Sequence, residues 1–444
     1  SDLFTTSQFY TLYGAFSGST SAVGLLSGGA LGVDTTNATS TITIADNLSN
    51  PNSGANALGF TKLGAGTLSL SGTNTFSGPV TVLGGTLTAA ASSALPSTIA
   101  GLTVTAASGL VATYDLAGNS QTIANAATAI SLGGGSTTSQ PKVTGTGSTL
   151  YITGSTGGAI TYTATNNPLG GVITLGAIDL GNANRTITVG DSTTAQTDLS
   201  ISGNLSNGTL TLAGAGSLLL SGNITAPASP GTLLTSSATG LDNLTGSVTS
   251  AVAQTFSVTG SGGILNLAGK LDMGSNALTV SGGSTLRLSN ISATGNVRTG
   301  TLTVSGSFLQ AYVPADGASG VTSSLGSGTI VLSGASTLRL APAIGSSLVG
   351  GTSQGFNVKG FNVGVSSLAS TNFLGDSQQI TAAYGQNSFL NVPAGSSKVA
   401  GVGLPKNTFT SSFPANTSYQ INSLLNITTG GTYYLSTSSD DFAS

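Results

Sequence analysis

The stretch Gly59–Thr88, GFTKLGAGTLSLSGTNTFSGPVTVLGGTLT, constrains this chain more than any other. Its segments LSL, VTV and TLT alternate apolar and hydroxyl residues, the period of a strand buried on one face. Between them lie SGTNTFSGP and LGG, which are turn chemistry: Gly and Asn tolerate positive φ, and Pro fixes φ at a corner. Such a density of Gly, Thr and β-branched residues excludes a helix. The stretch also recurs. GAGSLLLSG at Gly214–Gly222 matches Gly64–Gly72 at an offset of 150, and LGSGTIVLSG at Leu325–Gly334 repeats Leu63–Gly72. A second pair, SGGSTLRL at Ser281–Leu288 and SGASTLRL at Ser333–Leu340, is offset by 52. Degenerate self-similarity over a long chain is the sign of a repeat architecture.

Length does not then count domains. At roughly 100–200 residues per globular domain, 444 residues suggest two to four, but a solenoid lengthens by adding coils to one core. A Gly- and Ser-rich chain invites a reading as disordered linker. A hydrophobic fraction of 38 %, a mean hydropathy of +0.30 and a net charge of −3 oppose it. Charged residues are 5 % of the chain, against about 25 % in ordinary soluble domains. A surface of Ser, Thr, Asn and Gly carries little repulsion, so lateral association is easy. The absence of Cys excludes disulfides and thiolate-held metals. No apolar run is long enough for a membrane-spanning helix, and the opening SDLFTTSQFY reads as a mature chain after removal of a signal.

Aromatic residues divide the chain. Phe4, Phe9, Tyr10, Tyr13 and Phe16 crowd the opening segment, and 16 of the 24 aromatics lie either there or beyond Pro342. A thin solenoid core of stacked Leu, Val and Ile has little room for rings. Aromatic ends therefore point to caps over the open edges, or to subunit contacts. The expected organisation is an all-β parallel β-helix (β-solenoid) over residues 18–341. An aromatic N-terminal segment, 1–17, acts as cap or donor strand, and an aromatic-rich C-terminal β region, 342–444, as cap or assembly region. At roughly 20–25 residues per coil and about 4.8 Å between strands, the middle makes about 13–16 coils and a rod of about 60–80 Å.

The opening repeat resembles the autotransporter-associated β-strand repeat. Thr61, Lys62, Gly64, Gly66, Thr67, Leu68, Leu70 and Gly72 fit its core. Asn74, Thr75, Phe76 and Gly78 fit its turn, and Val82, Gly85, Thr86 and Leu87 its closing strand. YDLAGNSQTI at Tyr114–Ile123 and Ala183–Ser206 are similar to the spacers around it. The resemblance implies a parallel β-helix, secreted or exposed on a bacterial cell surface, often within a very long protein. Thr428–Ser444 lacks the serial alternating strands of an outer-membrane barrel, and the chain is less charged than a typical adhesive passenger.

Chemistry is sparse. Parallel β-helices include polysaccharide-cleaving enzymes, whose sites need clustered acids with Arg or Lys. The candidates are Asp191 with Asp198 and Arg185, Lys270 with Asp272, and Asp440–Asp441; each reads more simply as a solvent-facing turn residue. No catalytic, cofactor or metal residue is expected, and no Ca²⁺-type nonapeptide recurs. Ten dispersed basic residues argue against nucleic acid. The leading expectation is a non-enzymatic extracellular structural protein whose partner is itself, assembling into a filament, sheath or matrix through its ends. Phe4, Phe9, Tyr10, Tyr13, Phe16, Tyr419, Tyr433, Tyr434 and Phe442 would form the contacts. The alternative is an autotransporter-type adhesin presenting Thr, Ser and Asn faces to glycans or proteins, and a weaker one is a polysaccharide-active enzyme.

Overall fold

Strands that bury one face must find a second layer, and here successive turns of the same chain supply it. In the computed structural model every strand pairing is parallel, and each strand of one coil stacks on its equivalent in the next. The structure describes Tyr13 and residues 25–342, apart from short breaks at 108, 125, 135–138, 155–156, 165–168, 194, 291–295 and 314–323. Strands run from Ala30 to Pro342, and residues 25–342 contain no α-helix among the described positions.

The solenoid has two full-length sides and a third that begins later. The first side stacks thirteen strands, from Ala30–Asp34 to Ile330–Ser333. The second also stacks thirteen, from Ile42–Ile44 to Thr337–Pro342. The third side starts at Gln121–Ile123 and holds eight strands, ending at Val297–Arg298. At about 4.8 Å per step this stack is about 60 Å long. Coils vary from 19 residues (Leu68 to Leu87) to 30 (Ile130 to Ile160), wider than the 20–25 expected.

The core is a set of inward columns. On the second side Ile42, Leu68, Leu87, Tyr114, Val143, Ile173, Ile201, Leu220, Leu244, Leu267, Leu288 and Ala311 are in register through consecutive coils. All but Ile42 are essentially sealed from solvent. Each such Leu or Ile contributes about 1.5–3 kcal/mol by leaving water. The core admits more rings than expected, since Phe60, Phe76, Tyr114, Tyr162 and Phe256 are all buried within it.

The repeated motif fixes a strand and its turn, not a side. Leu68 and Leu218 both lie on the second side, as the 150-residue offset implies. In the third copy Ile330, the equivalent of Leu68, stacks on Leu302 of the first side. The STLRL pair behaves differently: Thr285–Leu288 and Thr337–Pro342 lie on the same side, two coils apart, with Phe308–Val313 between them.

Candidate functional site

Three surfaces can meet a partner: the two long sides, and the corner where the first coils lack a third strand. Their shape is set by what fills the corners. In the opening repeat the loop between Thr67–Leu70 and Val80–Val82 takes the place of a third strand. Asn74 holds it to both neighbouring coils, accepting from the Leu48 N–H and donating to the Ala94 carbonyl, both at 2.8 Å. Phe76 turns inward and stacks on Phe60 with centroids 6.1 Å apart. Gly78 is obligatory by close approach, because a Cβ there would lie 2.4 Å from the Leu58 carbonyl carbon. The Asn-Thr-Phe motif is thus a staple and a plug as well as a turn. Above it opens a shallow groove of about 340 Å³, lined by Thr75, Ser92, Ser93, Pro96, Ser97 and Thr122 among others, with no charged residue.

Buried cations hold other corners. Lys62 faces inward and is fully buried; its ammonium donates to the carbonyls of Leu63, Gly64 and Gly84 at 2.8–2.9 Å. Burial pulls it down to about 8, with Asp34 opposing the shift. Arg185 donates to the carbonyls of Leu180, Ile152 and Gly154 at 2.6–2.9 Å. Arg298 donates to those of Leu325 and Gly300. Each cation ties its own coil to an adjacent one, and each is lowered by desolvation. Lys62 is the only ionisable residue of Gly59–Thr88. Its inward register, between Phe60 and the turn at Gly64, makes it structural.

The acids named from the sequence are dispersed in role. Asp198 accepts from the Ser192 and Ser217 N–H groups at 2.7 Å and from the Ser217 hydroxyl at 3.0 Å, closing the turn before Leu199. Lys270 and Asp272 form a half-exposed ion pair at 2.8 Å. Asp440–Asp441 lie outside the described residues, as do Phe4, Phe9, Tyr10, Phe16, Tyr419, Tyr433, Tyr434 and Phe442. Tyr13 is described: its hydroxyl donates to the Ser49 carbonyl at 2.8 Å and accepts from the Ser49 N–H at 2.7 Å, against the corner of the first coils.

Outward columns of small polar residues cover the long sides. On the first, Thr61, Thr81, Thr103, Ser131, Thr161 and Thr188 are in register over six consecutive coils, each half-buried and alternating with the inward residues of its strand. Asn side chains link coils elsewhere. Asn204 accepts from the Asn223 N–H and Asn223 from the Ser247 N–H, both at 2.9 Å, and Asn266 donates to Asn243 at 2.8 Å. The resulting faces are long, wet and nearly free of charge. They offer many weak hydrogen-bonding contacts, repeated at each coil.

Comparison with known proteins agrees with this form. Residues 60–89 match the family described as Passenger-associated-transport-repeat. Over 227 residues, 45 % of this chain, the sequence is 31 % identical to the adhesin BmaC autotransporter of Brucella suis biovar 1 (strain 1330). That match spans 6 % of the adhesin's own length. No solved structure matches the chain.

Proposed function

We propose, starting from a chain that carries an autotransporter passenger repeat on a parallel β-solenoid, that it is a non-enzymatic adhesive module, a segment of a surface passenger. Its place is the bacterial cell surface or the space outside it. The observation that carries this is the pairing of a passenger repeat with an adhesin relative, on a rod whose outward columns are hydroxyl and amide groups. Such a rod holds binding faces away from the membrane and presents the same chemistry at each coil, so that weak contacts add along its length. Its partners are glycans or other components of a facing surface. Self-assembly into a filament, expected from the sequence, finds no support in these relatives, and the adhesive reading takes precedence.

The test is display of residues 1–444 on a non-adherent bacterium through a heterologous outer-membrane anchor, with adherence to cells and to coated glycans scored by microscopy. Adherence above that of the anchor alone is expected. Equal adherence, with the module confirmed on the surface, sinks the proposal.

A further inference from the structure

Seven lysines and arginines fall among the described residues, and most of them are committed. Lys62, Arg185 and Arg298 cap carbonyls inside corners, and Lys270 is paired with Asp272. Lys142 lies apart, on an earlier strand of the second side, and Arg287 and Arg339 have no carboxylate partner among the described residues. They come from the two copies of STLRL, and the 52-residue offset of that pair equals two coils, so both project outward from one column of the second side. Gln310 lies between them in register. Two strand spacings separate the arginines, about 9.6 Å along the axis.

The column is ordered. Arg287 Nε donates to Gln310 Oε1 at 3.1 Å, which fixes the plane of the guanidinium and leaves its terminal N–H fork facing out. Gln310 faces outward yet is 5 % exposed, as a residue between the side chains of adjacent coils must be. Tyr312 is two residues further along the same strand, on the same face. No carboxylate among the described residues lies within ion-pair distance of either arginine. Burial lowers the Arg339 guanidinium; Tyr312 opposes that shift, and the like charge of Arg287 adds a smaller lowering. Two half-buried cations sharing a face without a counter-charge are relieved by an anion.

We propose that Arg287, Gln310, Tyr312 and Arg339 form a recognition strip for a carboxylate-bearing glycan, a polyuronate chain lying along the rod. The inference rests on the adhesive reading and names a ligand for it. The guanidinium fork matches a carboxylate bidentately. The Tyr312 ring offers an apolar face and a polar tip, which suits the C–H faces and hydroxyls of a sugar. Asn266 and Asn243 continue the same column and supply amides for further hydroxyls. A polymer of uronates repeats its carboxylate, so one chain meets both arginines. Nucleic acid fits poorly, because two cations on a chain of net charge −3 cannot track a phosphate backbone.

The test measures binding of the full chain to immobilised polygalacturonate, neutral dextran and dextran sulfate. Polygalacturonate is expected to bind, more weakly as salt rises, and dextran is not. The Arg287→Gln/Arg339→Gln double variant should bind polygalacturonate about ten-fold more weakly or worse, while its circular dichroism stays that of the parent. The Arg287→Lys/Arg339→Lys variant keeps the charge, loses the fork and should fall between the two. Failure of the parent to bind polygalacturonate overturns the strip, and so does undiminished binding by the Gln variant. Equal affinity for dextran sulfate, insensitive to the variants, also overturns it. Adherence of displaying cells is read in parallel. If cells adhere but polygalacturonate is not bound, the strip falls and the adhesive module stands; arginine-dependent binding without adherence supports the strip alone.

Discussion

Lys62 and Gly84 belong to consecutive coils, and the Lys62 ammonium donates to the Gly84 carbonyl at 2.9 Å inside the solenoid. The same ammonium satisfies Leu63 and Gly64, so one side chain serves three carbonyls that water cannot reach. Lys62→Met keeps the stem and removes every donor. It should lower stability by about 2–4 kcal/mol, read as a shift of the urea midpoint. An unchanged midpoint would show that the corner finds other donors.

Tyr114 occupies the second-side inward column between the aliphatic Leu87 and Val143. Its hydroxyl is buried without a hydrogen-bond partner, and desolvation, assisted by Asp115, drives its pKa up. Tyr114→Phe deletes the unpaired oxygen and leaves the ring in place. A gain of about 1–2 kcal/mol is expected in denaturant unfolding. A loss would mean that the hydroxyl is satisfied in solution.

A glycine stack runs up one corner. A Cβ on Gly222 would lie 1.9 Å from the Gly203 oxygen, one on Gly246 2.0 Å from the Gly222 oxygen, and one on Gly269 2.0 Å from the Gly246 oxygen. Each backbone rests directly on the one below, so the constraint is of space and not of φ. Gly246→Ala must separate two coils, and a loss of about 3 kcal/mol or more is expected by thermal unfolding. Gly262, with open space around its Cβ position, is the control for a glycine held only by its φ of +78°. Equal tolerance of alanine at both positions would refute the stacking argument.

Period-two alternation and turn residues made the strands and corners of Gly59–Thr88 legible, because inward Leu68 and Val82 and outward Thr81 follow from the pleat alone. What alternation does not encode is the number of sides. Ile330 copies Leu68 in sequence and sits on a different side, since loop lengths between strands, and not the strands, set the rotation. The buried cations were illegible for a related reason. Lys62 sits at an apolar parity position, and only its register shows that it meets carbonyls instead of water. The Arg287–Arg339 strip was written in the 52-residue offset, but that offset became a distance only when it proved to equal two coils.

Asp242 breaks a second inward column of the second side, standing in register between Leu218 and Leu265, two residues from the column of Leu220 and Leu244. It is 1 % exposed, and its partner is the Ser236 hydroxyl, which donates to Oδ2 at 2.8 Å. Burial raises its carboxyl from 3.8 to about 6, against the opposing effect of that hydrogen bond. A raised carboxylate pKa means that the folded chain binds this proton more tightly than the unfolded one. The contribution of this group to stability is therefore greatest below about pH 4, declines as pH rises through the window from about 4 to 6, and is then constant. The loss attributable to this group is about 2–3 kcal/mol. Asp242→Asn removes the ionisation and keeps the shape, so its stability should show no decline across that window and should exceed the parent's at pH 7. Urea unfolding of both chains from pH 3.5 to 7.5 measures the difference. Parallel curves for the two would show that Asp242 stays ionised in the folded core, and that water reaches it between the coils.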